Sequence, residues 1–115
     1  MVPPPPSRAR RASDAPSFSL EVLDSNAAQL TVAISGEVDI SSASQLRDGL
    51  YGWLVGGHRL LTIDLAAMTF IDSTGLGVLV GAIKRARDGG GDVRLARPSR
   101  PTRKVLEVTG LSRLV

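Results

Sequence analysis

An almost unbroken apolar run, Leu60-Leu61-Thr62-Ile63-Asp64-Leu65, is followed after two residues by Met68-Thr69-Phe70-Ile71-Asp72-Ser73-Thr74-Gly75-Leu76-Gly77-Val78-Leu79. The first segment, about Arg59 to Leu65, alternates too little for a strand with one wet face and suits a central strand covered on both sides. The second opens a helical apolar pattern that continues to about Arg87. A buried strand feeding a helix commits the chain to an α/β arrangement. An aspartate and two hydroxyls stand at the junction, where unpaired backbone N–H groups and the positive end of the helix dipole converge. A hydroxyl there can cap the helix, or it can carry a phosphate that the helix N-terminus stabilises.

The rest of the chain repeats this logic. Phe18, Leu20 and Val22 alternate with polar neighbours, Asp24-Ser25-Asn26 reads as a turn, and Leu30-Thr31-Val32-Ala33-Ile34 alternates again up to Gly36. These segments predict an antiparallel hairpin. Ser42-Ala43-Ser44-Gln45 has the spacing of a capping box. The helix it opens places Ala43, Leu46, Leu50, Trp53 and Leu54 on one face, and Gly56-Gly57 ends it. After the Ser73 helix, Asp88-Gly89-Gly90-Gly91 is a stop and Val93-Arg94-Leu95-Ala96 a short strand. Pro98 and Pro101 precede a last helix over about Thr102 to Thr109, and Leu111 to Val115 begins a final strand. Strands alternating with helices predict a mixed sheet, parallel in its second half, with a hairpin at its start.

Composition narrows the class. A chain of 115 residues suits one domain, residues 17–115, built on Leu, Val, Ile and Ala because aromatics are scarce. Residues 1–16, with Pro3-Pro4-Pro5-Pro6 and a Ser/Arg/Ala-rich stretch, read as a disordered tail. No apolar run approaches the ~20 residues that cross a bilayer, and no signal-peptide core follows the arginines. Without cysteine, thiol and disulfide chemistry are excluded, which agrees with a cytoplasmic setting. The formal charge of +3 comes mostly from Arg8, Arg10 and Arg11, which face only Asp14 in the tail. A second basic bias runs from Arg94 to Arg113, with no aromatic residues to stack on bases, so nucleic-acid binding is not expected.

Enzyme chemistry finds no support. The single histidine, His58, stands in no triad or metal-ligand pattern, and Gly75-Leu76-Gly77 lacks the lysine-hydroxyl pair of a phosphate-binding loop. No cofactor or metal is expected. Helical spacing puts Leu76, Leu79, Val80, Ile83 and Ala86 on the core face of the Ser73 helix. Thr74, Val78, Gly81, Ala82 and Arg85 fall on the other side, a small and apolar stripe that reads as a partner surface or as a face covered by a neighbouring element. Gly75 and Gly77 would let another chain approach the Ser73 hydroxyl, while for Gly77 close packing on the sheet explains glycine equally well. Asp39 reads as a loop aspartate helping to cap the helix that begins near Ser41, and Asp64, inside the central strand, has no assignment.

The run Asp72-Ser73-Thr74-Gly75-Leu76-Gly77 resembles the phosphorylation motif of STAS-domain proteins, specifically bacterial anti-sigma factor antagonists. Ile34-Ser35-Gly36-Glu37-Val38-Asp39 is similar to that family's glycine-acid-apolar-aspartate segment, and both lie in the expected order. The resemblance covers Phe18 to the C-terminus. It implies a mixed sheet with helices mainly on one face, Ser73 as phosphoacceptor, and Asp39 within an acidic partner-binding surface beside it. The expected surface thus comprises Asp39, Asp72, Thr74, Gly75, Gly77 and Val78. The implied partners are an anti-sigma factor with serine kinase activity, which supplies ATP and Mg²⁺, and a serine phosphatase. Family members usually continue beyond the equivalent of Leu111 through a further strand and often a terminal helix, so the resemblance implies either a chain trimmed at Val115 or a natural short form. A soluble accessory subunit of a membrane transporter and a scaffold component of a stress-signalling complex are the alternative roles of such a domain.

Overall fold

A computed structural model describes residues 18–115, and the tail expected over residues 1–16 lies outside them. The hairpin forms as the alternation predicts: β1 (Ser19–Ser25) pairs antiparallel with β2 (Gln29–Val38). Asn26 closes the turn, its Oδ1 accepting from the Ala28 and Gln29 N–H groups. Gly36 adopts φ 81° but does not end β2. Irregularities in the register on either side of it absorb the turn in the backbone, and the strand runs on to Val38.

Next in the chain come α1 (Ala43–Val55), β3 (Leu60–Ile71), α2 (Ser73–Asp88), β4 (Asp92–Ala96) and α3 (Arg100–Val108). The sheet order is β1-β2-β3-β4, with β2, β3 and β4 mutually parallel. Strand β3 therefore extends six residues beyond the expected end at Leu65. Its apolar signal fades after that residue, but the long β2 offers partners as far as the pair Val38–Ile71.

The register decides which side chains share a face. Leu30, Leu61 and Val93 form one buried rung, and Val32, Ile63 and Leu95 the next. Leu46 and Leu50 of α1, Leu79, Ala82, Ile83 and Ala86 of α2, and Leu106 of α3 complete the same cluster. Each fully buried aliphatic side chain contributes about 1.5–3 kcal/mol. The rung between, Thr31, Thr62 and Arg94, lies on the opposite face and is not buried. The helices thus pack on one face of the sheet, as expected.

Three local expectations fail. Ser42 occupies the N-cap position of α1 but makes no capping bond; its hydroxyl instead donates to the Glu37 carbonyl and accepts from the Asp39 N–H, each at 3.0 Å. On α2, Val80 is 49% exposed whereas Ala82 is fully buried, the reverse of the helical-wheel assignment. The buried face of α2 is made by Gly75, Leu79, Ala82, Ile83 and Ala86, so the helix is turned to put Ala82 inside and Val80 out. Leu111 to Val115 forms no strand; Ser112–Leu114 is a short 3₁₀ helix that buries Leu111 and Leu114 at a spacing of three.

Asp64, unassigned from sequence, is buried and paired with Arg97, whose Nε lies 3.3 Å from Oδ1 and whose Nη2 contacts Oδ2. Oδ1 also accepts from the Ala66 N–H. Arg97 stands just after β4 and adopts φ 52°, a left-handed conformation unfavourable for a non-glycine residue. The ion pair and the unusual backbone together fix the turn into α3.

Candidate functional site

The paired residues Val38 and Ile71 end their strands side by side, and the chain leaves each of them to begin a helix. The Asp72 N–H donates to the Val38 carbonyl at 3.1 Å, so the two exits are tied together. This brings Asp39 and Ser73, 34 positions apart in the sequence, to one end of the sheet. In an open parallel sheet that end is where functional groups collect, because strand carboxyl ends meet helix N-termini there.

Asp72, not Ser73, is the N-cap of α2. Its backbone is extended (φ −100°, ψ −175°), and its Oδ1 accepts the Gly75 N–H at 3.0 Å. Ser73 is consequently the first helical residue. It is exposed, and its hydroxyl makes no hydrogen bond among the described residues. The capping role open to Ser73 from sequence is already filled by its neighbour. No hydrogen bond from the Ser73 or Thr74 N–H forms among the described residues either, leaving two donors at the positive end of the helix.

Asp39 is held by its own turn. Oδ1 accepts from the Ser41 hydroxyl at 2.7 Å, the Ser41 N–H at 3.0 Å and the Ser42 N–H at 3.2 Å. The Ser41 hydroxyl, reinforced by these two N–H groups, keeps the Asp39 carboxyl below the usual carboxylate range. Asp39 therefore ties down the approach to α1, while its Oδ2 has no partner among the described residues.

The other expected surface residues separate into two groups. Thr74 and Gly77 are exposed, and a Cβ at Gly77 would meet nothing within 4 Å, so packing does not require glycine there. Gly75 is buried; a Cβ there would lie 2.6 Å from Val38 Cγ1 and 2.8 Å from Ile71 Cγ1. The need for glycine at 75 is thus internal, letting α2 lie close on the strand ends. Val78 is half-buried against the core. On the same flank Gly81 sits under the Tyr51 hydroxyl and Arg85 lies over the Tyr51 ring at 5.1 Å, so α1 covers much of the small-residue stripe.

Sequence reasoning passed over Ile40 and Phe70, which are 79% and 49% exposed close to Asp39 and Asp72 in the chain. The signal that could have marked Ile40 is a β-branched apolar residue inside a turn of aspartate and serines. A cavity of about 620 Å³ opens at the far end of the sheet, where Gln29, Leu60 and Asp92 begin their strands. His58, half-buried, lies with Nδ1 3.3 Å from the Trp53 carbonyl, away from Ser73. No helix of the described residues is long and apolar enough to cross a membrane.

A hairpin-led mixed sheet, helices on one face, and an aspartate-capped helix presenting a free serine at the strand ends define a STAS domain. The STAS domain family matches residues 18–115, and the chain belongs to that family. It is 32% identical over 98 residues to the anti-sigma-B factor antagonist of Listeria monocytogenes, a match covering 85% of this chain and 86% of that protein. It is 36% identical over 90 residues to the anti-sigma-B factor antagonist of Bacillus subtilis, covering 78% and 82%. The crystal structure of an anti-sigma factor antagonist from Mycobacterium paratuberculosis is similar with a TM-score of 0.74 at 27% identity, covering 84% of this chain and 81% of that one.

Proposed function

We propose that the chain is an anti-sigma factor antagonist switched by phosphorylation of Ser73. In its unphosphorylated form it binds an anti-sigma factor that is also a serine kinase, and the sigma factor held by that protein is released for transcription. The kinase brings its own ATP and Mg²⁺, phosphorylates Ser73 and ends the interaction; a serine phosphatase restores the active form. The chain is the substrate of catalysis, not a catalyst, and works in the cytoplasm.

The observation that carries this reading is the division of labour between Asp72 and Ser73. Because Asp72 supplies the cap, the Ser73 hydroxyl is exposed and free to attack a phosphoryl donor. The phosphate formed would lie at the positive end of α2, within reach of unpaired N–H groups. It would also add about two negative charges beside Asp39 and Asp72, so a partner covering this end meets like charge and must desolvate a dianion. Release needs no refolding.

The test is affinity capture from native lysate with full-length wild type, Ser73→Ala and Ser73→Asp as baits. A kinase-like anti-sigma factor retained by the first two and lost with Ser73→Asp is the expected result. Retention of a membrane permease equally by all three would transfer the chain to the transporter-associated class and leave Ser73 without a switching role.

A further inference from the structure

Ile40 is the most exposed large hydrophobic residue among the described residues, at 79%. A lone apolar side chain in water is ordinary on a protein surface. What distinguishes Ile40 is the rigidity beneath it. The Ser42 and Ala43 N–H groups donate to the Asp39 carbonyl at 3.1 and 2.9 Å, and the Asp39 carboxylate accepts from Ser41 and Ser42. The Ser42 hydroxyl in turn bridges the Asp39 N–H and the Glu37 carbonyl. Every residue flanking Ile40 is therefore fastened, while Ile40 itself is held out into solvent. Its β-branched side chain is stiff at χ1. A fixed backbone and a stiff side chain lose little freedom when buried by a partner, which is the property of a preorganised anchor.

Its position ties it to the switch. Val38 and Ile71 are register partners on adjacent parallel strands, and Ile40 and Ser73 each stand two residues beyond that pair. Asp39 Oδ2, next to Ile40, is unpartnered among the described residues, and Glu37 is exposed on the same exit.

We infer that Ile40 is the apolar anchor of the interface proposed at the Ser73 end, an inference that rests on that functional reading. The complementary surface is a shallow apolar socket on the kinase partner, with a guanidinium or ammonium group on its rim to meet Asp39. Seating Ile40 brings the partner over Ser73, so a phosphate there has to be desolvated whenever the anchor is engaged. The anchor supplies affinity and the serine supplies control.

The experiment is calorimetric titration of the purified kinase partner, identified by the capture above, with full-length wild type, Ile40→Ala, Ile40→Val and Val108→Ala. Val108 is a matched control, 78% exposed on α3. Ile40→Ala is expected to weaken binding roughly tenfold or more, with Ile40→Val and Val108→Ala within about threefold of wild type. All thermal midpoints should coincide, since the side chain is exposed in the free protein. If Ile40→Ala binds like wild type while Ser73→Asp still abolishes binding, the anchor is wrong and the switch stands. If wild type captures no kinase partner at all, both fall.

Discussion

The Asp72 carboxylate accepts the Gly75 N–H at 3.0 Å, and this single bond determines what Ser73 is free to do. Had Ser73 been the cap, its hydroxyl would have been engaged with the backbone and the helix would have depended on it. With Asp72 in that position, Ser73 is structurally dispensable. Asp72→Ala is expected to lower stability by about 1 kcal/mol, the usual worth of an N-cap. Ser73→Ala should change it by less than ~0.5 kcal/mol. Urea unfolding of the two variants decides the matter, and a larger loss from Ser73→Ala than from Asp72→Ala would reverse the assignment.

The two glycines of the motif should respond oppositely to alanine. Gly75→Ala drives a methyl into Val38 and Ile71, whose branched side chains have little room to yield, at a cost of about 1–3 kcal/mol. Gly77→Ala adds its methyl to open space and removes glycine's helix penalty, so it should stabilise the domain by up to ~1 kcal/mol. Thermal unfolding of both variants tests the pair.

The Asp64–Arg97 pair makes stability depend on pH in a definite direction. The Arg97 guanidinium holds the Asp64 carboxyl below the usual carboxylate range. A depressed folded-state pKa means that the stabilisation is complete above the unfolded value, near ~3.9, and is lost as pH falls through the folded value. Arg97→Ala should therefore move the acid-unfolding midpoint to higher pH. Arg97→Gly loses the same pair but relieves the left-handed backbone, so it should be less destabilised than Arg97→Ala. Acid titrations followed by circular dichroism give the order of the three proteins.

Asp39 offers a spectroscopic check on the turn that carries Ile40. The Ser41 hydroxyl is the strongest of the groups lowering the Asp39 pKa. Ser41→Ala should bring the carboxyl back toward its ordinary range, read from its ¹³C shift across a pH titration. An unchanged titration would mean that the turn does not hold Asp39 as described.

Much of this molecule was legible in its sequence. Alternation in residues 18–34 specified the hairpin, the unrelieved run from Leu60 a central strand, and the spacing of Leu46, Leu50, Leu79, Ile83 and Ala86 the faces that α1 and α2 turn inward. Such patterns are local: the period of burial follows from backbone geometry, which repeats within a few residues. The Asp72-Ser73-Thr74-Gly75 run likewise marked its strand-to-helix junction without help from distant residues.

What remained hidden was settled by contacts between residues far apart in the chain. Asp64 and Arg97 are separated by 33 positions, and nothing in the local sequence of either announces the other. Only the packing of α2 on the rest of the domain could choose Ala82 over Val80 for the interior, and only the close approach of Val38 and Ile71 makes glycine necessary at 75. The capping role that the sequence left open to Ser73 falls instead to Asp72; both residue types cap well and the choice rests on where β3 ends. That end is set by pairing with β2, and the same pairing brings Ile40 and Ser73 to one end of the sheet. Sequence determined most of the elements and the greater part of their inward faces because periodicity is short-ranged; the tertiary structure decided the C-terminal turn, the rotation of α2 and which residues meet, because register and packing are not.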